Sequence, residues 1–385
     1  MSYSDYQYEI YLGGLSGQRP AFPISFVDLE REAQEAMSPE AWGYVAGAAG
    51  TEATMKANLA AFARWRILPR MLRDVSERDL SIELFGDRLD SPLLLAPIGV
   101  QSIIHPDSER AVAGAAADVG VPMVLSTAAS TSMEDVAAAS GDNLRWFQLY
   151  WPADPKLTES FVRRAEASGY RAIVVTLDTM LLAWRPRDLQ GAFLPFLQGV
   201  GIAHYLSDPE FRAGLDNSPE EDLPAAVMRW AQVYSDPATT WDRLRDLRTM
   251  TKLPLLLKGI LHPDDARTAA ESDMDGIIVS NHGGRQVDGA IATLDALPEV
   301  VAAVPGGFPV LFDSGIRGAA DAVKALALGA RAVLLGRPYA WGLAVGGEDG
   351  VRQVLRSFLA ELDLTLALAG CSSVAGLDPS LLRRT

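Results

Sequence analysis

Residues 276–286 read GIIVSNHGGRQ, which is an apolar run followed at once by a polar turn. A short apolar run bounded by such a turn is typical of a buried strand. The turn brings His282 and Arg285 to the carboxyl end of this strand, and the two glycines between them allow a tight bend. The stretch therefore predicts a buried strand that ends in chemically active side chains.

Seven other apolar runs after residue 91 have the same character, and Ala- and Glu-rich stretches with helical spacing separate most of them, such as 108–118, 132–139 and 318–328. Eight strand-then-helix units predict an α/β fold of the (β/α)8 barrel type. A doubly wound sheet is the alternative, but no early strand is followed by GxGxxG. The eight predicted strands are 93–98, 123–126, 146–150, 172–177, 255–258, 276–280, 309–312 and 332–335.

The pattern predicts one domain over residues 1–385, in which a mostly helical extension, 1–90, precedes a barrel at 91–360 and a tail at 361–385. Helical spacing in the extension is clearest at 26–37 and 51–64. The connection after the fourth strand, about 181–240, is unusually long, with an apolar segment at 193–197 and an acidic one at 216–222. Loops of this length are uncommon unless they act as lids or are disordered. We expect a lid over the carboxyl-end face of the barrel, and the alternative is a partly helical excursion buried in an oligomer.

Composition narrows the class of protein. The chain has 385 residues, 49% of them hydrophobic, and a formal net charge of -15. The negative charge argues against nucleic acid and anionic membrane surfaces as partners. One cysteine, Cys371, excludes an internal disulfide and a cysteine metal cluster, and no metal site is predicted. Without a visible signal sequence or an apolar run of 18 residues, we expect a cytoplasmic protein with no membrane segment.

The pair His282 and Arg285 carries the most specific chemical signal. Histidine exchanges a proton near neutral pH, and arginine grips a carboxylate with two parallel hydrogen bonds. Alone, the pair could also be a glycine-rich turn with a surface arginine and a hydrogen-bonded histidine. Their place at a strand end favours a site for a carboxylate that loses a proton.

The last two strands end in phosphate-binding sequences, DSGIR at 313–317 and Gly336-Arg337. The loops after these strands form the usual phosphate site of such barrels. Gly315 and Gly336 let backbone N–H groups point at a phosphate, and Arg317 and Arg337 supply positive charge. Asp313 suits a sugar or ribityl hydroxyl better than a phosphate. Together these sequences predict a phosphate-bearing cofactor or substrate.

Polar residues end most of the other strands. Lys258 ends the fifth strand, where it either extends its amine to solvent or stabilises a group that becomes anionic. The remaining polar strand ends are Ser126, Gln148, Tyr150, Thr176 and Asp178. Polar side chains around most of one barrel mouth predict a lined cofactor site.

These motifs resemble the FMN-dependent 2-hydroxy acid oxidase/dehydrogenase family over nearly the whole chain. Six motifs occur in order: PIG at 97–99, QLY at 148–150, LLLKG at 255–259, SNHGGRQ at 280–286, DSGIR at 313–317 and GR at 336–337. The chain is most similar to the lactate 2-monooxygenase branch, through YEIY at 8–11, AWRPRD at 183–188 and the long connection. The resemblance implies a barrel that binds FMN and forms a homo-oligomer, either a tetramer or an octamer.

The resemblance also implies roles for individual residues. His282 would be the base, Asp178 its carboxylate partner, and Arg285 and Arg185 the substrate-binding arginines, with Arg187 as a rival for Arg185. Tyr44 and Tyr150 match two tyrosines that bind the substrate. The implied flavin contacts are Pro97, Ile98, Gly99, Ser126, Gln148, Thr176, Lys258 and Ser280. The implied ribityl-phosphate contacts are Asp313, Ser314, Gly315, Arg317, Gly336 and Arg337.

The implied reaction is oxidation of a small L-2-hydroxy acid, L-lactate first, by O2 with decarboxylation to acetate, CO2 and water. The alternatives are a simple oxidase that releases keto acid and peroxide, a quinone-linked dehydrogenase, and a flavin-binding module without turnover. Hydride and carbanion mechanisms stay open. Two departures bear on the substrate: Gly99 replaces an alanine of many members, which predicts a less crowded flavin face, and Ala128 replaces a tryptophan of several oxidases.

Overall fold

The computed structural model describes residues 2–385, and it begins with the predicted extension. The extension contains α1 (Asp5–Leu15), α2 (Phe26–Ala36), α3 (Pro39–Ala46), α4 (Ala53–Ala63), β1 (Trp65–Ile67), β2 (Ile82–Leu84) and β3 (Asp87–Leu89). Ser25 and Ser38 start α2 and α3, because each hydroxyl accepts a hydrogen bond from a backbone N–H of the first turn. The helical character is confirmed, whereas the three short strands were not predicted.

Eight parallel strands close into the predicted barrel, in the order β10-β11-β4-β5-β6-β7-β8-β9. They are β4 (Leu93–Leu95), β5 (Met123–Ser126), β6 (Arg145–Leu149), β7 (Ile173–Thr176), β8 (Leu255–Ile260), β9 (Gly276–Val279), β10 (Val310–Phe312) and β11 (Ala332–Leu335). Every residue of β9 is buried, as the apolar run predicted. β4 ends three residues earlier than predicted, since Pro97 has no N–H to donate to a neighbouring strand.

Helices surround the barrel and cover its strands. They are α5 (Ser108–Val119), α6 (Met133–Ser140), α7 (Pro155–Ala167), α8 (Pro186–Gln190), α9 (Ala203–Leu206), α10 (Pro209–Ala213), α11 (Leu223–Val233), α12 (Trp241–Met250), α13 (Pro263–Glu271), α14 (Thr293–Ala303), α15 (Ala319–Ala327) and α16 (Arg337–Ala369). The predicted boundary at residue 360 falls inside α16, which is interrupted only at Gly346 and Gly347. The barrel and the start of the tail therefore share one helix.

The long connection, residues 181–240, is a folded part of the domain. It contains α8 to α11, and Ile202, Tyr205 and Phe211 in it are fully buried. It also reaches the end of β5, where the ring Nε2 of His204 lies 3.1 Å from the carbonyl oxygen of Ser126. The connection is thus attached to the barrel along much of its length.

The two ends of the chain meet beside the barrel. β12 (Leu382–Arg384) pairs antiparallel with β1, so the tail is bound to the extension. The hairpin of β2 and β3 places Phe85 5.7 Å from Trp146 at the start of β6, the end of the barrel opposite the site.

No helix within residues 2–385 is long and apolar enough to cross a membrane.

Candidate active site

A cavity opens at the carboxyl ends of the barrel strands, where the polar strand ends were predicted to meet. Its wall contains these predicted site residues: Tyr44, Pro97, Ile98, Gly99, Tyr150, Arg185, Lys258, His282, Arg285, Asp313, Ser314, Gly315, Arg317, Gly336 and Arg337. Four predicted flavin contacts, Ser126, Gln148, Thr176 and Ser280, are buried at their strand ends outside this wall. Asp178 lies behind His282. The fold thus brings together residues from positions 44 to 337 of the chain.

His282 and Asp178 form a hydrogen-bonded pair. The ring Nδ1 of His282 lies 2.8 Å from Asp178 Oδ1, and the Thr179 hydroxyl donates to the same carboxylate oxygen at 3.1 Å. Burial lowers the pKa of His282, while Asp178 acts in the opposite direction. Burial raises the pKa of the Asp178 carboxyl, but the neighbouring His282 and Lys258, together with hydrogen bonds from His282 and Thr179, outweigh burial, so that the net shift is downward. The pair therefore presents a neutral imidazole and an ionised carboxylate, which is the state a base needs.

The backbone around His282 is held in a conformation that few residues adopt. His282 has φ 58° and Ser314 has φ 80°, both in the left-handed region. The Ser314 hydroxyl joins the two turns, since it accepts from Gly283 N at 2.9 Å and donates to Asp313 Oδ1 at 2.6 Å. Such local strain is common where a site must be held in one geometry.

Two arginines, the buried Arg185 and the partly buried Arg285, converge on the same part of the cavity. Arg185 is 7% exposed, and its Nε donates to the carbonyl oxygen of Arg285 at 3.1 Å. Arg285 lies with its guanidinium carbon 5.0 Å from the centre of the Tyr44 ring and donates to Gly47 O at 2.8 Å. Burial and the charge of Arg185 lower the pKa of Arg285 to about 10. Two neighbouring cations that are withdrawn from solvent and repel each other favour a bound anion such as a carboxylate.

The rival arginine lies elsewhere. Arg187 is partly exposed and pairs with Glu52 at 2.7 Å. It does not line the cavity, whereas Arg185 does. The geometry therefore favours Arg185 over Arg187 as the second substrate-binding arginine.

The far end of the cavity is also positively charged. Burial lowers the pKa values of Arg317 and Arg337, and Arg337 is further affected by the charges of Arg317 and Arg285. Five cationic side chains line the cavity against one carboxylate, Asp313. A chain with a net charge of -15 has thus concentrated positive charge in one place, which suits a ligand that carries phosphate and carboxylate groups.

Unpaired buried polar atoms test whether FMN fits. Gln148 Nε2 and Thr176 Oγ1 have no hydrogen-bond partner among the described residues. Buried polar groups rarely stay unpaired, so these two point to a polar ligand edge. Lys258 is 3% exposed, donates to Ser280 Oγ at 2.9 Å and lies 3.3 Å from Asp313 Oδ2. A flavin ring with carbonyl and N–H groups, followed by a phosphate near Arg317 and Arg337, fits this donor set.

The expectation about Gly99 needs correction. A Cβ atom at this position would lie 2.7 Å from both the Cβ and the carbonyl oxygen of Ala128. Gly99 therefore does not leave a gap beside the flavin, because Ala128 fills that space. The glycine is required by the close contact of two loops.

The connection contributes an aromatic wall that the sequence only partly indicated. Phe196, from the predicted apolar segment, stacks on Trp230 with ring centres 4.8 Å apart. Tyr234 lies 5.4 Å from the Tyr150 ring and lines the cavity, as Leu182 does. Sequence reasoning missed Leu182, Tyr234 and Thr179. Thr179 could have been found, since it directly follows Asp178 at a strand end, whereas Tyr234 carries no local signal.

Comparison with known proteins agrees with this geometry. The model of the FMN-dependent dehydrogenase family matches residues 33–384. An FMN-dependent alpha-hydroxy acid dehydrogenase of Penicillium citrinum is 44% identical over 388 residues, covering 100% of this chain and 96% of the relative. An L-lactate oxidase of Lysinibacillus sphaericus is 44% identical over 369 residues, covering 96% of this chain and 95% of the relative.

Solved structures give the same answer for the fold. The crystal structure of a mandelate oxidase superposes with a TM-score of 0.82 at 42% sequence identity, covering 94% of this chain and 98% of that one. Family motifs, cavity chemistry and overall fold therefore agree. The chain belongs to the FMN-dependent dehydrogenase family and is an FMN-dependent oxidoreductase of 2-hydroxy acids.

Proposed function

We propose that the substrate is a small L-2-hydroxy acid, with L-lactate first, and that O2 is the final electron acceptor. The observation that carries this proposal is the meeting of two arginines and a neutral histidine in one cavity. The arginines bind the carboxylate, and the histidine takes a proton from the substrate. The L-lactate oxidase relative supports lactate, and the mandelate oxidase structure supports an aromatic acid as the competing substrate.

Different residues of the cavity bind the substrate and accept its proton. Arg285 and Arg185 fix the carboxylate and so orient the α-carbon, which converts binding energy into proximity. Tyr44 and Tyr150 bind the substrate from the cavity wall, and His282 accepts the proton. Bound FMN supplies the acceptor for the two electrons that leave the α-carbon.

Asp178 and Lys258 support the charges that form. The Asp178 carboxylate orients the His282 ring and stabilises its cation. Lys258 would hold a bound flavin and supply positive charge to it, since its amine is buried beside Ser280 and Asp313. The binding set is completed by the flavin and ribityl-phosphate contacts named from the sequence.

We further propose that the keto acid is retained and decarboxylated. Lactate and O2 give pyruvate and hydrogen peroxide, and bound pyruvate and peroxide then give acetate, CO2 and water. Support comes from residues 181–240, whose Leu182, Phe196 and Tyr234 line the cavity. A closed cavity that slows release favours the second step, because the two outcomes compete kinetically.

The second candidate is a simple oxidase that releases pyruvate and peroxide, which the L-lactate oxidase relative favours. Product analysis separates the two. The FMN-loaded protein is incubated in air with L-lactate, L-mandelate and glycolate, and acid, CO2 and peroxide are measured. Acetate with CO2 and little peroxide supports decarboxylation, whereas equal amounts of pyruvate and peroxide overturn it.

We also propose that the protein is a homo-oligomer. Four apolar side chains of α1 form one exposed helical stripe: Tyr8, Tyr11, Leu12 and Leu15 are 63%, 65%, 64% and 85% exposed. Contiguous exposed apolar surface of this kind is typical of a contact with another protein. Light scattering should give a mass of four or eight chains, and a monomer would contradict the proposal.

A further inference from the structure

Glu109 is a fully buried carboxyl group without a cation. It lies in the first turn of α5 and is 0% exposed. Its Oε1 accepts hydrogen bonds from the backbone N–H groups of Ser130 at 3.0 Å and Gln101 at 3.3 Å. Within residues 2–385, Oε2 makes no hydrogen bond of normal geometry, although the nearby Thr131 hydroxyl lowers the pKa of the carboxyl, and no lysine, arginine or histidine forms an ion pair with it.

The two N–H groups belong to two loops that line the cavity. Gln101 ends the loop after β4, whose residues 96–99 line the cavity, and Ser130 lies in the loop after β5, which contributes Ala128. The loops also touch directly, since Val100 N donates to Ala128 O at 2.8 Å. Glu109 Oε1 therefore joins the two loops from behind the cavity wall.

The first of these loops is strained and needs such support. Val100 has φ 51°, which a β-branched residue rarely adopts. The Gln101 side chain holds the loop from within, because its Nε2 donates to Ile98 O at 3.0 Å. Tyr339 of α16 adds a second support, donating from its hydroxyl to Ala96 O at 2.8 Å.

Two acceptor atoms in this cluster lack a donor. Glu109 Oε2 and Gln101 Oε1 are both buried and unpaired among the described residues. An ionised Glu109 would add a buried, unpaired negative charge, which is very costly. A proton on Oε2 removes that charge and gives the cluster one further hydrogen-bond donor.

We propose that Glu109 is a positioning residue for the flavin site: as a neutral carboxylic acid it donates from Oε2 to Gln101 Oε1 and holds loops 96–101 and 126–131 together. Burial raises the pKa of the Glu109 carboxyl, in agreement with the neutral form.

The groups around Glu109 bring no compensating charge. Tyr339 faces it from α16, and burial raises the pKa of this phenol, so the phenol stays neutral. Arg110 of α5 pairs at the surface with Asp135 of α6 at 2.8 Å. Glu348 pairs with Arg352 within α16, on the exposed side of that helix.

Infrared spectroscopy of the FMN-loaded protein at pH 7 tests the protonation state. The wild-type protein should show a carbonyl band of a protonated carboxylic acid that shifts in D2O and is lost in Glu109→Gln. The surface control Glu348→Gln should keep the band. A spectrum in which Glu109→Gln removes no such band would overturn the proposal.

A variant pair tests the positioning role. Glutamine replaces the O–H donor by an N–H donor, so Glu109→Gln should bind FMN with an affinity within about twofold of wild type. The flavin absorption spectrum of this variant should match that of wild type. Glu109→Leu removes both the acceptor and the donor and should weaken FMN binding about tenfold or more. If Glu109→Gln weakens FMN binding as much as Glu109→Leu, the carboxyl is ionised and the proposal fails. The infrared result decides the case if the leucine variant does not fold.

Discussion

The barrel and the long connection build different walls of one cavity. The barrel wall is charged and hydrogen-bonded, with Lys258, His282 and Arg285 at strand ends. The wall formed by residues 181–240 is mainly apolar, with Phe196 and Tyr234 in an aromatic cluster. On the proposed function, chemistry depends on short loops fixed by strands, while substrate fit and product retention depend on the connection. Arg185 is the exception, because it brings a charge from the connection into the barrel's site.

The largest expected effect is on the barrel side. Replacing His282 by glutamine should lower the rate of flavin reduction by about 10²- to 10⁴-fold, because general-base catalysis is lost. FMN binding should remain. His262 is a matched control, since it is exposed and caps α13 away from the cavity. A His282→Gln protein that is reduced as fast as His262→Gln would contradict the role of the base.

The next effect concerns the carboxylate clamp. Arg285→Lys keeps the charge but loses the planar pair of donors, so kcat/KM should fall about 10- to 100-fold. Arg185→Lys should also lower kcat/KM. Arg187→Lys should leave kcat/KM close to wild type, because Arg187 pairs with Glu52 at the surface. Steady-state kinetics with L-lactate measures all three. Equal losses of kcat/KM in Arg185→Lys and Arg187→Lys would contradict the assignment of Arg185 as the second substrate-binding arginine.

A smaller effect should appear in the pH profile. His282 must be neutral to accept a proton, so kcat/KM should fall as the pH drops through its pKa, which burial holds below the usual 6.5. The Asp178 charge raises that pKa. Asp178→Asn should therefore move the acid limb of kcat/KM to lower pH, besides lowering the rate. Movement of the limb to higher pH would show that another group titrates.

The smallest effect on rate is expected on the connection side, where product partition should change instead. A large deletion is a poor test, because Ile202, Tyr205 and Phe211 are fully buried and their loss would disrupt the core. Phe196→Leu is milder and alters the cavity wall directly. It should change the rate less than about tenfold while raising pyruvate and peroxide at the expense of acetate.

Leu197 provides the control for that variant, since it is the next residue and 60% exposed. Leu197→Ala should leave both rate and products unchanged. If Phe196→Leu also leaves the products unchanged, retention has another cause, and the connection serves mainly as structure.

The same division explains what sequence could predict. Runs such as residues 276–279 are buried on both faces, so apolar pattern alone located the eight strands and the residues that follow them. The sequence named Arg185 with Arg187 as a rival, because both flank Pro186 and only the placement of α8 separates them. Tyr234 reaches the cavity through the packing of α11 against Phe196, which no local pattern records. Most residues at strand ends were thus predictable, whereas a residue such as Tyr234, which tertiary packing brings to the cavity, was not.

The central claim is that His282, beside the two arginines, takes a proton from a bound 2-hydroxy acid. Rapid anaerobic mixing of the FMN-loaded protein with L-lactate tests it most directly, with flavin absorbance as the signal. We expect the flavin absorbance to bleach quickly in wild type and His262→Gln, and almost not at all in His282→Gln. Bleaching at the wild-type rate in His282→Gln, or none with any 2-hydroxy acid in wild type, would contradict it.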